Sequence, residues 1–143
     1  MKSESGWLLF ALGSALFGGI TAILAKVGVT GIDSNVATFY RTLVVLALAA
    51  VIVSFRGDWP QLGNASPRTL AFLTLSGIAT AASWLCYFRA LQLAPASIVA
   101  PIDKLSVVIA VVLAAVFLAE PISARLLAGV ALIAVGTIVV AGA

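Results

Sequence analysis

Of the chain's 143 residues, 63% are hydrophobic and 9% are charged, far below the roughly 25% charged residues of an ordinary soluble domain, so the composition is that of an integral membrane protein. The formal charge of +3 comes from eight basic residues scattered among apolar runs; they form no patch or stripe, which excludes a nucleic-acid partner. With one cysteine, Cys86, and no histidine, an internal disulfide and the usual Cys/His metal sites are excluded as well, and neither metal nor cofactor is expected.

Crossing a hydrocarbon core takes about 20 helical residues at roughly 1.5 Å each. Five stretches qualify: Trp7 to Gly28, Asn35 to Phe55, Thr69 to Leu91, Ile98 to Leu118 and Ala124 to Gly142. The expected fold is all-α, a polytopic membrane protein with five transmembrane helices in one domain, residues 1–143. The first stretch follows Lys2, as a secretory signal would. It is longer than the roughly 7–15 apolar residues of a signal, and four more spans follow it, so it reads as a span. Within it "FGGIT", residues 17–21, lets another backbone approach at Gly18 and Gly19, and Thr21 adds a hydroxyl. "VGVTGIDSN" then offers Gly31 to end one helix and Asp33 or Ser34 to cap the next.

The second span carries Arg41 well inside apolar sequence, and "RGDWPQLGNASPR" after it reads as a polar linker. On the third span, Trp84, Tyr87 and Phe88, with Gly77, Thr80 and Ala81 at helical spacing, form one wall of a cavity or an ordinary packing face. "QLAPAS" and "AEPIS" each set a proline after an apolar run and a serine where a helix can begin. The fourth span opens on "APIDKLSVV", in which Pro101 weakens the helical ladder beside Asp103 and Lys104. In the fifth, "GVALIAVG" puts Gly129 and Gly136 on one face, suited to close helix association.

Basic residues near span ends give the orientation. Lys2, Arg56, Arg68 and Arg125 lie on the amino-terminal side against Lys26 and Arg89 on the other, which predicts a cytoplasmic amino terminus in a cell (inner) membrane, with insertion in both orientations as the alternative. Arg41, Asp103 and Lys104 all lie about 9 Å from the opposite face. Charges at such depth normally face a bundle interior or a wet cavity, so a polar cavity opening to the non-cytoplasmic side is expected. Lys26 and Arg89 read as snorkelling to the interface and Asp33 as a helix cap. Arg41 reads equally as an ion pair with Asp103 or as a ligand contact. Asp103 and Lys104, being adjacent on a helix, should seek different partners. No nucleophile–base set is visible, and an enzyme is not expected.

"ALFGGITAILAKVG", Arg41 in "TFYRTLVVLA", "SWLCYFRALQLAPAS", "APIDKLSVV" and "FLAEPIS" followed by "LAGVALIAVGTIVV" together resemble, in order and spacing, a single EamA-type repeat of the drug/metabolite transporter superfamily. The resemblance implies a five-helix repeat, two of which, in opposite topology, make a ten-helix transporter in longer relatives. Where many relatives have a Glu-Pro step, this chain reads Ser106–Val107, so that hinge does not carry over. "GVALIAVG" also looks like the last helix of small multidrug resistance proteins, but the acid those exporters use in their first helix is absent here.

The expectation is a small-molecule transporter working by alternating access as a homodimer, antiparallel in the bilayer. Lys104, Asp103, Arg41, Trp84, Tyr87 and Thr21 are the candidate substrate-binding residues, and Gly129 and Gly136 mark the dimer interface. The intramembrane tally of Lys26, Arg41, Arg89 and Lys104 against Asp103 and Asp33 favours an anionic or zwitterionic substrate. The alternatives are a non-transporting half-repeat that scaffolds or regulates another membrane protein, and a flippase for an anionic lipid-linked head group.

Overall fold

A computed structural model describes residues 6–142; Lys2, one of the residues in the orientation count, lies outside them. Seven helices follow in chain order: α1 Gly6–Gly28, α2 Ser34–Arg56, α3 Trp59–Gly63, α4 Pro67–Leu93, α5 Ala96–Asp103, α6 Leu105–Phe117 and α7 Ala124–Ala141. No strand occurs among the described residues. Five stretches are long and apolar enough to cross a membrane: α1, α2, α4, α5 continued by α6, and α7. The chain is an all-α polytopic membrane protein.

Helix ends fall where local chemistry supplies caps. Asp33, in an extended conformation, accepts a hydrogen bond from Asn35 N–H at 2.8 Å and starts α2; Ser123 does the same for α7 through Leu126 N–H at 3.2 Å. These bonds satisfy N–H groups that a helix start leaves without partners. Ser66 Oγ accepts from Thr69 N–H at 3.1 Å ahead of α4, whose first residue is Pro67, a position at which proline loses no helical bond. Gly57 ends α2 at φ +70°, the left-handed conformation that glycine adopts without steric cost. Ala119 takes a similar conformation after α6, at φ +52°, without that freedom.

Two expectations need correction. The stretch between the second and third spans is not a plain linker, because it contains α3. Asp58 ahead of it accepts from Arg56 Nε at 3.0 Å and Gln61 Nε2 at 2.7 Å, and Trp59 Nε1 donates to Ser54 Oγ at 3.1 Å. A five-residue helix is too short to show a hydrophobic period. The fourth span is not one helix either: it breaks at Lys104, and α5 and α6 lie on either side of the break.

The chain divides into two compact units, Val27–Gln92 and the remainder. In Val27–Gln92 the buried residues are Val29, Ser34, Ala37, Thr38, Phe88 and Leu91, so burial gathers at the start of α2 and the end of α4. Gln92 ties that end together, its Nε2 donating to the carbonyl of Ile32 at 2.7 Å. The rest of α2 and the whole of α4 before Trp84 are almost entirely exposed. In the other unit α5 and α6 both pack on α7, and Ala22, Ala25, Ala96, Val99, Val130 and Thr137 are buried. Large apolar side chains elsewhere face outward, as they do when the solvent is lipid.

The caps and the strained alanine give an expected outcome for stability in detergent. Asp33→Ala and Ser123→Ala should each cost about 1 kcal/mol, and Ala119→Gly should gain about 1 kcal/mol. Ser97→Ala, at an exposed position with no capping bond, should change little. Reversible unfolding of the purified chain measures all four.

Candidate functional site

Arg41 is the eighth residue of α2, so its Cα lies about 10 Å along the helix from Ser34. The structure places its guanidinium carbon 4.2 Å from the centroid of the Trp84 ring and 5.4 Å from that of Phe88. Trp84 and Phe88 are one turn apart on α4, on the side that also carries Tyr87 and Leu91. Phe88 is 3% exposed and Leu91 fully buried, while Trp84 and Tyr87 are half-buried. A cation over an aromatic face is attracted by the ring quadrupole, worth ~2 kcal/mol when desolvated. The rings lie beside the guanidinium carbon, whereas its N–H donors fan out in the guanidinium plane. Among the described residues no hydrogen bond or ion pair engages those donors. Five N–H groups in a fixed fork are suited to a planar carboxylate or to phosphate oxygens.

Asp103 and Lys104 do not seek different partners. Lys104 Nζ lies 3.2 Å from Asp103 Oδ2. They meet although adjacent residues of a helix point about 100° apart, because both side chains bend toward each other; Asp103 closes α5 and Lys104 stands between α5 and α6. The pair is partly exposed, the Lys104 side chain more than that of Asp103, and leaves no net charge at the break. Thr21, in α1, is half-buried beside buried Ala22.

The structure thus joins Arg41 to Trp84, with Tyr87 on the same side of α4, and joins Asp103 to Lys104; Arg41 and the Asp103–Lys104 pair belong to different units. Gly77, Thr80 and Ala81 lie on the exposed part of α4, where the Thr80 hydroxyl bonds the carbonyl of Ser76 at 2.9 Å. Lys26 and Arg89 hold helix ends: Lys26 Nζ donates to the carbonyl of Ala94 at 2.9 Å and Arg89 Nη1 to Gln92 Oε1 at 3.0 Å. A β-carbon at Gly18, Gly19, Gly129 or Gly136 would meet no atom within 4 Å, so the space beside each is open. Two polar residues escaped the sequence reading. Gln92 could have been found as an amide at the end of an apolar run, and Thr137 as a hydroxyl on a span facing one that holds a proline.

The EamA-like transporter family matches the chain over residues 5–142. The chain belongs to that family. This family member is 47% identical over 138 residues to a Sinorhizobium sp protein named "Uncharacterized transporter in cobO 3'region", a match covering 96% of this chain and 98% of the relative. It is 31% identical over 131 residues to "Uncharacterized transporter YvbV" of Bacillus subtilis (strain 168), covering 88% of this chain but 41% of the relative. No solved structure matches it. Membership makes the chain a multi-pass membrane transporter.

If the stack fixes Arg41, the two residues must be energetically coupled. A double-mutant cycle on Arg41→Met and Trp84→Leu, read by unfolding in detergent, should return a coupling of about 1 kcal/mol. Additive effects would mean that the contact carries no energy.

Proposed function

We propose that this family member carries small anionic or zwitterionic metabolites by alternating access as an antiparallel homodimer. The observation that carries the reading is Arg41, held over the Trp84 ring about 10 Å along an apolar helix with its N–H donors unengaged among the described residues. Aromatic faces hold the guanidinium without neutralising it, which leaves its donors for an anionic group. In this reading Arg41 receives the anionic group of the substrate, with Trp84 and Tyr87 as its apolar wall. Lys104, Asp103 and Thr21, in the other unit, are proposed as polar contacts on their own account.

Two observations support a second copy of the chain. The chain covers 41% of YvbV but 98% of the Sinorhizobium relative, as expected if one repeat is used twice in the first case and once per chain in the second. The open space beside Gly129 and Gly136 on α7 would let another helix approach closely, and close packing is what drives helix association in lipid. Arg56, Arg68 and Arg125 favour a cytoplasmic amino terminus in the inner membrane; Lys26 and Arg89 oppose that bias, which suits insertion both ways.

Proteoliposomes loaded with a panel of anionic, zwitterionic and cationic metabolites test the reading by counterflow. Arg41→Ala and Lys104→Ala should each lower flux at least about tenfold, the loss of one charge-assisted hydrogen bond, with dimer content unchanged. Flux at the wild-type level in both variants would remove these residues from the transport path, and no wild-type flux for any member of the panel would favour a non-transporting subunit. Replacing Gly129 and Gly136 together by leucine should convert the dimer to monomer in cross-linking. Persistence of the dimer would place the interface elsewhere.

A further inference from the structure

The break in the fourth span comes one turn later than its proline accounts for. A proline disturbs the helix that precedes it, because it withholds the N–H for the carbonyl four residues earlier and its ring presses on that carbonyl. For Pro101 that carbonyl belongs to Ser97. Yet α5 runs from Ala96 through Asp103 and ends only at Lys104. The bonds at the break span three residues: Lys104 N–H donates to Pro101 O at 2.9 Å, and Val107 N–H donates to Lys104 O at 3.0 Å. Leu105 and Ser106 open α6, so neither N–H has an acceptor within that helix. In a continuous helix the Leu105 N–H would go to Pro101 O.

In hydrocarbon every unsatisfied backbone group is costly, so an interaction from outside the span must favour the broken form. Thr137, on α7, is 4% exposed. Its hydroxyl lies 2.8 Å from its own helix's Ile133 O and 3.4 Å from Pro101 O, within reach of both acceptors. Both α5 and α6 pack on α7, so a single helix holds the two halves of the broken span.

We propose that Thr137 is a positioning residue whose hydroxyl clips the Pro101 carbonyl and keeps the fourth span in two helices, with Asp103 and Lys104 at their junction. The clip is independent of what the chain carries and is tested without a substrate.

The test is amide hydrogen exchange, resolved at Leu105 and Ser106, on the full chain in lipid nanodiscs. In Thr137→Val and Thr137→Ala the Pro101 carbonyl should recapture the Leu105 N–H, and exchange at both amides should slow about tenfold. Thr137→Ser, which keeps the hydroxyl, should exchange as wild type does. A role in packing alone would act in the opposite direction, since a loosened α7 speeds exchange. Unchanged or faster exchange at these amides in the valine or alanine variant, or slowing in the serine variant, overturns the proposal. Unfolding of both the valine and the alanine variants also overturns it, because a clip on one carbonyl is not required for the fold.

Discussion

The contact of the Arg41 guanidinium with the Trp84 ring, at 4.2 Å, satisfies a constraint that bears on the whole of the Val27–Gln92 unit: a permanent cation stands on an apolar span with no carboxylate paired to it among the described residues. Arg cannot discharge itself by losing its proton, so compensation must come from groups that tolerate lipid. Aromatic faces do this without introducing a second charge. The requirement fixes how α2 and α4 meet. Trp84 and Phe88 must both turn toward Arg41, which puts Leu91 on the buried side of α4 one turn further on and brings Gln92 to the carbonyl of Ile32. The packed end of this unit and its charged side chain are one arrangement.

In the fourth span the same demand is met by other means. Asp103 and Lys104 cancel each other, and the break beside them leaves backbone groups to be satisfied within lipid. A break of this kind is tolerated where neighbouring helices resupply the lost bonds. The span combines a neutral ion pair, two exposed helix ends and a buried hydroxyl from α7, and these are parts that discontinuous transporter helices use around substrates. Elsewhere the helices need little from one another, because an apolar surface is already at home in acyl chains. This explains why burial is confined to a few residues.

Much of the fold was legible because lipid imposes strong rules on sequence. Length and hydropathy mark five spans, and the caps at Asp33 and Ser123 follow from side chains able to receive N–H bonds. Depth alone singled out Arg41, Asp103 and Lys104, and helical spacing put Trp84, Tyr87 and Phe88 on one side. The helix α3 was hidden because five residues show no period. The pairing of Asp103 with Lys104 was misread because the rule for adjacent residues places Cβ directions and not the ends of long side chains, and the break beside them was missed because its cause lies outside the local sequence, in contacts with α7. Arg41's engagement with rings rather than an acid was equally invisible, since span-to-span register is not written in hydropathy.

Trp84 itself reports most directly on whether Arg41 receives an anionic group. With Trp7 and Trp59 replaced by phenylalanine, Trp84 is the sole tryptophan, and its emission senses the guanidinium on its ring. Titrating the reconstituted chain with carboxylate- and phosphate-bearing metabolites should give a saturable change in that emission for at least one of them, and the change should vanish in Arg41→Met. A response that survives Arg41→Met, or the absence of any saturable response across the series, would contradict the assignment of Arg41 as the anion-binding group.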